Sequence, residues 1–161
     1  KNVFALAEYN QVQPYTYAHR VPMQNYTHLN QAIAHPLGAN FKEIIGILSY
    51  NYKKWNLELK WSHAIYGEDS TDTHFGKNIF LSDFEAEREG GQSSYGNFNG
   101  QGVKTIQDYV TATISRQIKE SSIYLYGQLI SRQISSDLQD VNHLYFLVGI
   151  KTNLHNSYLD F

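Results

Sequence analysis

The sequence predicts an all-β fold, a transmembrane antiparallel β-barrel present as about six strands with long extracellular loops. Three observations carry this expectation. From Leu144 to Leu154 the alternate residues are Leu144, Phe146, Val148, Ile150, Thr152 and Leu154, and a period of two is a strand with one apolar face. The connections between such segments run long, short, long, short, medium, so every long one falls on the same side, as it does in membrane barrels. Charged residues make up only 17% of the chain, against about 25% in soluble domains.

Each element follows from its own pattern. Val3 to Gln13 reads as a first strand, with Val3, Ala5, Ala7 and Tyr9 on one side and Phe4, Leu6, Glu8 and Asn10 on the other. Pro14 ends it, because proline donates nothing to a sheet ladder. The loop 14–40 holds all three prolines, with Tyr15, Tyr17 and Tyr26 and with His19, His28 and His35. Aromatic-rich and poor in charge, it is expected to be ordered and packed rather than disordered.

Phe41 to Tyr52 and Trp55 to Tyr66 form a hairpin around Lys53 and Lys54. Trp55, Leu57, Leu59, Trp61 and Ile65 alternate with Asn56, Glu58, Lys60 and Ser62. The first of these strands is less clean, since Ile44, Ile45, Ile47 and Leu48 put apolar residues on both faces. A second long loop, 67–105, is acidic in its first part and rich in glycine and small polar residues in its second. Ile106 to Ile118 and Ser122 to Ile134 form the next hairpin around Lys119, with Val110, Ala112 and Ile114, then Ile123, Leu125 and Leu129, as apolar sets. Residues 135–141 read as a medium connection into the last strand.

Composition excludes several function classes. There is no cysteine, so disulfides and thiolate metal sites are absent, and a net charge of −2 gives no reason to expect nucleic acid. No segment approaches the ~18 apolar residues of a membrane helix. No nucleophile–base pairing or zinc-protease motif is present, so the expectation is a non-enzyme without a cofactor. His19, His28 and His35 match no standard zinc spacing, and Glu68, Asp69 and Asp72 lack the spacing of a calcium loop; the duller accounts are hydrogen-bonding histidines and a solvated acidic loop.

The aromatic loops are the best candidate site. Tyr15, Tyr17, Tyr26, His28, His35 and Tyr95 would suit a sugar, offering flat apolar faces beside hydrogen-bonding groups. The competing account is that the tyrosines pack the loops on one another and close the barrel. Docking of another protein is a further alternative, and a pore a third.

Three stretches carry a family resemblance: Glu8 to Tyr17 (EYNQVQPYTY), Asn25 to Asn40 (NYTHLNQAIAHPLGAN) and Tyr158 to Phe161 (YLDF). Together they resemble the C-terminal region of the RemB-type gliding-motility proteins of Bacteroidetes, outer-membrane proteins distantly similar to the Wzi capsule-attachment barrels. The resemblance implies that 1–161 is the C-terminal segment of one outer-membrane β-barrel domain, its loops extracellular and its earlier strands upstream of Lys1. Six strands fall short of the eight at which bacterial barrels begin. The implied partners are outer-membrane lipid, the barrel-assembly machinery, surface polysaccharide, and other outer-membrane proteins or lipoproteins of a motility or secretion complex. Leu159 and Phe161 resemble the terminal assembly signal of such barrels. They are out of phase with Leu144 to Leu154, and a bulge near His155 would restore the phase. Asp69-Ser70-Thr71 is similar to a short O-glycosylation motif of the same phylum.

Overall fold

The computed structural model describes residues 1–29, 31–70, 72–85 and 95–152. The chain is all-β. Its elements are β1 (Asn2–Val12), β2 (Thr27–His28), β3 (Gln31–Ala32), β4 (Phe41–Tyr52), β5 (Trp55–Glu68), β6 (Val103–Gln117), β7 (Ile123–Ser136) and β8 (Asp140–Thr152), with two single 3-10 turns in the loops. Six of the strands form one antiparallel sheet in the order β1-β4-β5-β6-β7-β8, and β2 and β3 make a small separate ribbon.

Register decides what the sheet's two faces are. One row of directly opposed residues runs Ala5, Leu48, Leu59, Ala112, Leu129, Phe146, and the next runs Val3, Tyr50, Leu57, Ile114, Gly127, Val148. Every apolar set read from the alternation therefore lies on one face. That face is open to the surroundings: Phe146 is 72% exposed and Leu144 70%. The opposite face is polar in its middle, where Phe4, Ser49, Glu58, Thr113, Gln128 and Leu147 form a row. Strand β4 resolves its ambiguity here, with Ile44 and Leu48 on the apolar face and Ile45 and Ile47 on the polar one.

At the end of the apolar band nearest the short turns lies a row of Tyr52, Trp55, Arg116, Leu125 and Ile150; at the other end lie Tyr9, Ile44, His63, Asp108, Gln133 and Asn142. Aromatic and polar residues thus border the band on both sides. The first short turn is Lys53-Lys54, with Lys53 at φ 53. On β8, Gly149 stands opposite Tyr126, whose ring leaves only 2.8 Å to any added Cβ.

Two expectations need correction. The medium connection 135–141 is a turn of residues 137–139, because Ser135 and Ser136 remain in the ladder. Ser135 Oγ donates to Asp140 Oδ1 at 2.6 Å, and Ser136 Oγ closes the turn by donating to the Gln139 carbonyl at 2.9 Å. The second long loop is likewise trimmed to 69–102, since β5 and β6 extend past their predicted ends. Both long connections still leave the sheet at the same end. The closed barrel is not present among the described residues: β1 and β8 are the two free edges of an open sheet. Leu154, the expected bulge near His155, and the Tyr158 to Phe161 terminus with Leu159 and Phe161 lie outside the described residues.

The buried core sits at the long-loop end of the polar face. Phe41, Ala64 and Tyr66 are buried there, with Val12 and Leu37 packed against them. The loops fold over this end as a cap.

Candidate functional site

A loop that packs on protein must find partners for its backbone polar groups, and in this cap side-chain amides supply them. Asn40, fully buried at φ 62, stands where the first long loop enters β4. Its Nδ2 donates to the carbonyls of Gly67 (3.1 Å) and Gln101 (2.8 Å), and its Oδ1 accepts from the Gly100 N–H (2.8 Å). Asparagine suits the position because its short side chain tolerates the left-handed region. Gly67 has to be glycine, as an added Cβ would lie 1.8 Å from the Gln101 carbonyl oxygen.

Three further clips repeat the theme. Asn25 Nδ2 donates to the carbonyls of Ile79 and Leu81, both at 2.9 Å, while its Oδ1 accepts from the His19 N–H at 2.6 Å. Asn99 Nδ2 donates to the carbonyls of Val12 and Phe41, and its Oδ1 accepts from Gln11 Nε2 at 2.8 Å. Asp69 accepts from the N–H groups of Phe75 and Asn78 and lies 3.4 Å from His74 Nδ1. Burial raises the Asp69 carboxyl pKa. The hydrogen bonds from His74, Phe75 and Asn78 and the nearby His74 charge outweigh that and hold it below the ordinary value.

The candidate residues are distributed over this cap. Tyr15 is buried, its hydroxyl donating to the His74 carbonyl at 2.7 Å and its ring edge-on to His74 at 5.1 Å. Tyr17 and Tyr26 stack on each other at 5.6 Å. His28 is exposed in β2, and Tyr95 is exposed on the second loop. His35 stacks on Phe41 at 4.5 Å. Its Nε2 lies 3.3 Å from Glu43 Oε2, within ion-pair range but too poorly aligned for a hydrogen bond. The six are therefore not gathered into one site: Tyr15 and His35 pack the cap, Tyr17 is half-buried against the exposed Tyr26, and His28 and Tyr95 are exposed. His35 pairs with Glu43 rather than with the other histidines, and among the described residues no metal-ligating trio is assembled.

Of the six, only His35 lines one of the cap's two open cavities. One, of about 530 Å³, is lined by Asp69, Ser70, Asp72, Thr73, Asn78 and Glu85 among others. A smaller one, of about 210 Å³, shares Asn78 and is walled by His35, Pro36, Leu37, Ile79 and Phe80. The first offers carboxylates and hydroxyls, the second an apolar wall with an exposed ring. Sequence reasoning missed Asn78 and Phe80, because their neighbours come from both long loops.

Compared with family models, curated proteins and solved structures, the chain matches none of them.

Two outcomes test the cap. Asn40→Asp keeps the shape and the left-handed tolerance but removes both donated bonds. Each buried carbonyl left unpaired costs about 1–3 kcal/mol. Trypsin should then cut the loops of the full chain much faster while strand content by circular dichroism stays unchanged; unaltered resistance would remove Asn40 as the anchor. Because the Asp69 pKa is depressed in the folded state, its contribution is complete above the unfolded value of about 3.9 and is lost as pH falls through the lower folded value. The ratio of pepsin cleavage within 69–102 in the native chain to that in Asp69→Asn should be flat down to about pH 4 and climb toward unity below it. A climb starting near pH ~6 would assign the opening to a histidine.

Proposed function

We propose that the chain is part of an outer-membrane β-barrel at the cell surface, whose loop cap binds surface polysaccharide. One observation carries the membrane half of this reading: five strand pairings place the apolar sets of all six strands on a single exposed face with aromatic and polar borders. Membrane barrels expose such a band, about 25 Å tall, between aromatic girdles. The unpaired edges of β1 and β8 support further strands that complete the wall, since each unsatisfied backbone group in lipid costs several kcal/mol.

Two adjoining cavities support the sugar half. A pyranose has an apolar ring face and a hydroxyl edge; Phe80 and Leu37 suit the first, and Asp72, Thr73 and Asn78 the second. The amide clips hold both walls in place, so little ordering would accompany binding. The proposal is a binding role.

A second reading has its own observation. Met23 is 92% exposed and Leu29 85%, with Val21 and Ile33 also open on the same loop. Apolar side chains exposed together favour docking of another protein in a surface complex.

On intact cells, a single cysteine replacing Met23 should react with an impermeant maleimide, and one replacing Lys53 should not; the opposite pattern would invert the topology. In the full-length protein, Phe80→Ala should weaken binding of the cell's own capsular polysaccharide about fivefold, the worth of an aromatic contact of ~1 kcal/mol. Met23→Ser with Leu29→Ser should leave it unchanged. Unchanged binding in Phe80→Ala, with a co-purifying protein lost from the Met23/Leu29 variant, would replace the sugar reading by the docking one.

A further inference from the structure

The two ends of the sheet differ in charge. Where the long loops emerge, the cap carries Glu68, Asp69, Asp72, Asp83 and Glu85 against Arg20 and Lys77, but the short-turn end carries Lys53, Lys54, Arg116, Lys119 and Lys151 against Glu120. The two short turns are fastened together, the Gln117 N–H donating to the Lys54 carbonyl at 2.8 Å. Between them lies a cavity of about 420 Å³ lined by Lys54, Arg116, Gln117, Ile118, Lys119 and Leu125. Three of its walls are cations, two are apolar, and none is acidic.

Its position in the register gives it meaning. Arg116 and Leu125 stand opposite each other on the apolar face, in the row that continues to Trp55 on one side and Ile150 on the other. The Arg116 guanidinium lies 5.1 Å from the Trp55 ring, an arrangement that holds the charge at the border of the apolar band. The cavity therefore opens where an apolar surface meets a basic rim.

We propose that this cavity is a headgroup site for an anionic phospholipid in the leaflet at the short-turn end. The proposal rests on the reading of the apolar face as lipid-facing. The Arg116 fork and the Lys54 and Lys119 ammonium groups donate to phosphate oxygens, while Leu125 and Ile118 take the start of an acyl chain. A headgroup with its own cation, such as phosphocholine, meets three positive charges and is disfavoured. Each basic residue near an anionic surface strengthens binding about fivefold.

The test uses the full-length protein reconstituted in vesicles of phosphatidylcholine, with and without phosphatidylglycerol, either lipid carrying brominated acyl chains as a tryptophan quencher. Trp61 lies in the middle of the apolar band and Trp55 at its basic border, and Trp61→Phe and Trp55→Phe separate their signals. Trp61 should be quenched by both lipids, and Trp55 several-fold more by brominated phosphatidylglycerol than by brominated phosphatidylcholine. Lys54→Gln/Arg116→Gln/Lys119→Gln should abolish the excess at Trp55 without changing Trp61. Equal quenching of Trp55 by the two lipids, with Trp61 quenched by both, would overturn the headgroup site alone. No quenching of Trp61 by either lipid would overturn the membrane reading beneath it. An excess at Trp55 that inorganic phosphate erases at constant ionic strength would assign the cavity to free phosphate and overturn the lipid assignment.

Discussion

The strand register is the constraint on which the other features depend. Side chains alternate strictly across a strand, so a slip of one residue at any of the five pairings would carry a whole strand's apolar set to the other face. Rows such as Ala5, Leu48, Leu59, Ala112, Leu129, Phe146 exist only because all five registers agree. The agreement creates both surfaces at once: a continuous apolar face, and a polar face onto which the loops can fold. The short turns help to hold it. Lys53-Lys54 allows one pairing of β4 with β5, and Lys53 takes a left-handed φ to do so.

The loop cap is stabilised differently. Only a few apolar side chains are buried there, Phe41, Tyr66 and Ile79 among them. The two loops are joined by backbone bonds such as Tyr15 N–H to the Gly76 carbonyl and Asp83 N–H to the His19 carbonyl, and amide side chains supply further backbone partners within the cap. Asn40, Asn25 and Asn99 each link segments far apart in sequence, and each uses both its donor and its acceptor. Interactions of this kind define a geometry more sharply than nonpolar packing does, because an unmet buried polar group is costly. The cavities around Asn78 are shaped by that geometry.

Much of the sheet was legible in the sequence. The alternation of β5, β7 and β8 is nearly unbroken, and the structure keeps each predicted apolar set together. Strand β4 was not legible in phase, because Ile45 and Ile47 are apolar on the polar face. The 135–141 segment misled for a local reason: serine pairs are common in turns, yet Ser135 and Ser136 end a strand here and cap the turn that follows. The candidate site was the least legible part. Tyr15 looked like a binding tyrosine but is used inside, against His74, while Asn78 and Phe80 acquire their neighbours only when the two loops meet. Contacts between residues more than fifty positions apart leave no periodic trace.

The three-residue turn 137–139 has a geometric consequence. The long loops rise from the β1–β4 and β5–β6 connections, whereas the β7–β8 connection is too short to build a second cap of its own. On the polar face of β7 and β8, Arg132, His143 and Tyr145 are exposed among the described residues. A solute that reaches that face meets these three side chains already exposed, outside the set of bonds that ties the two long loops together.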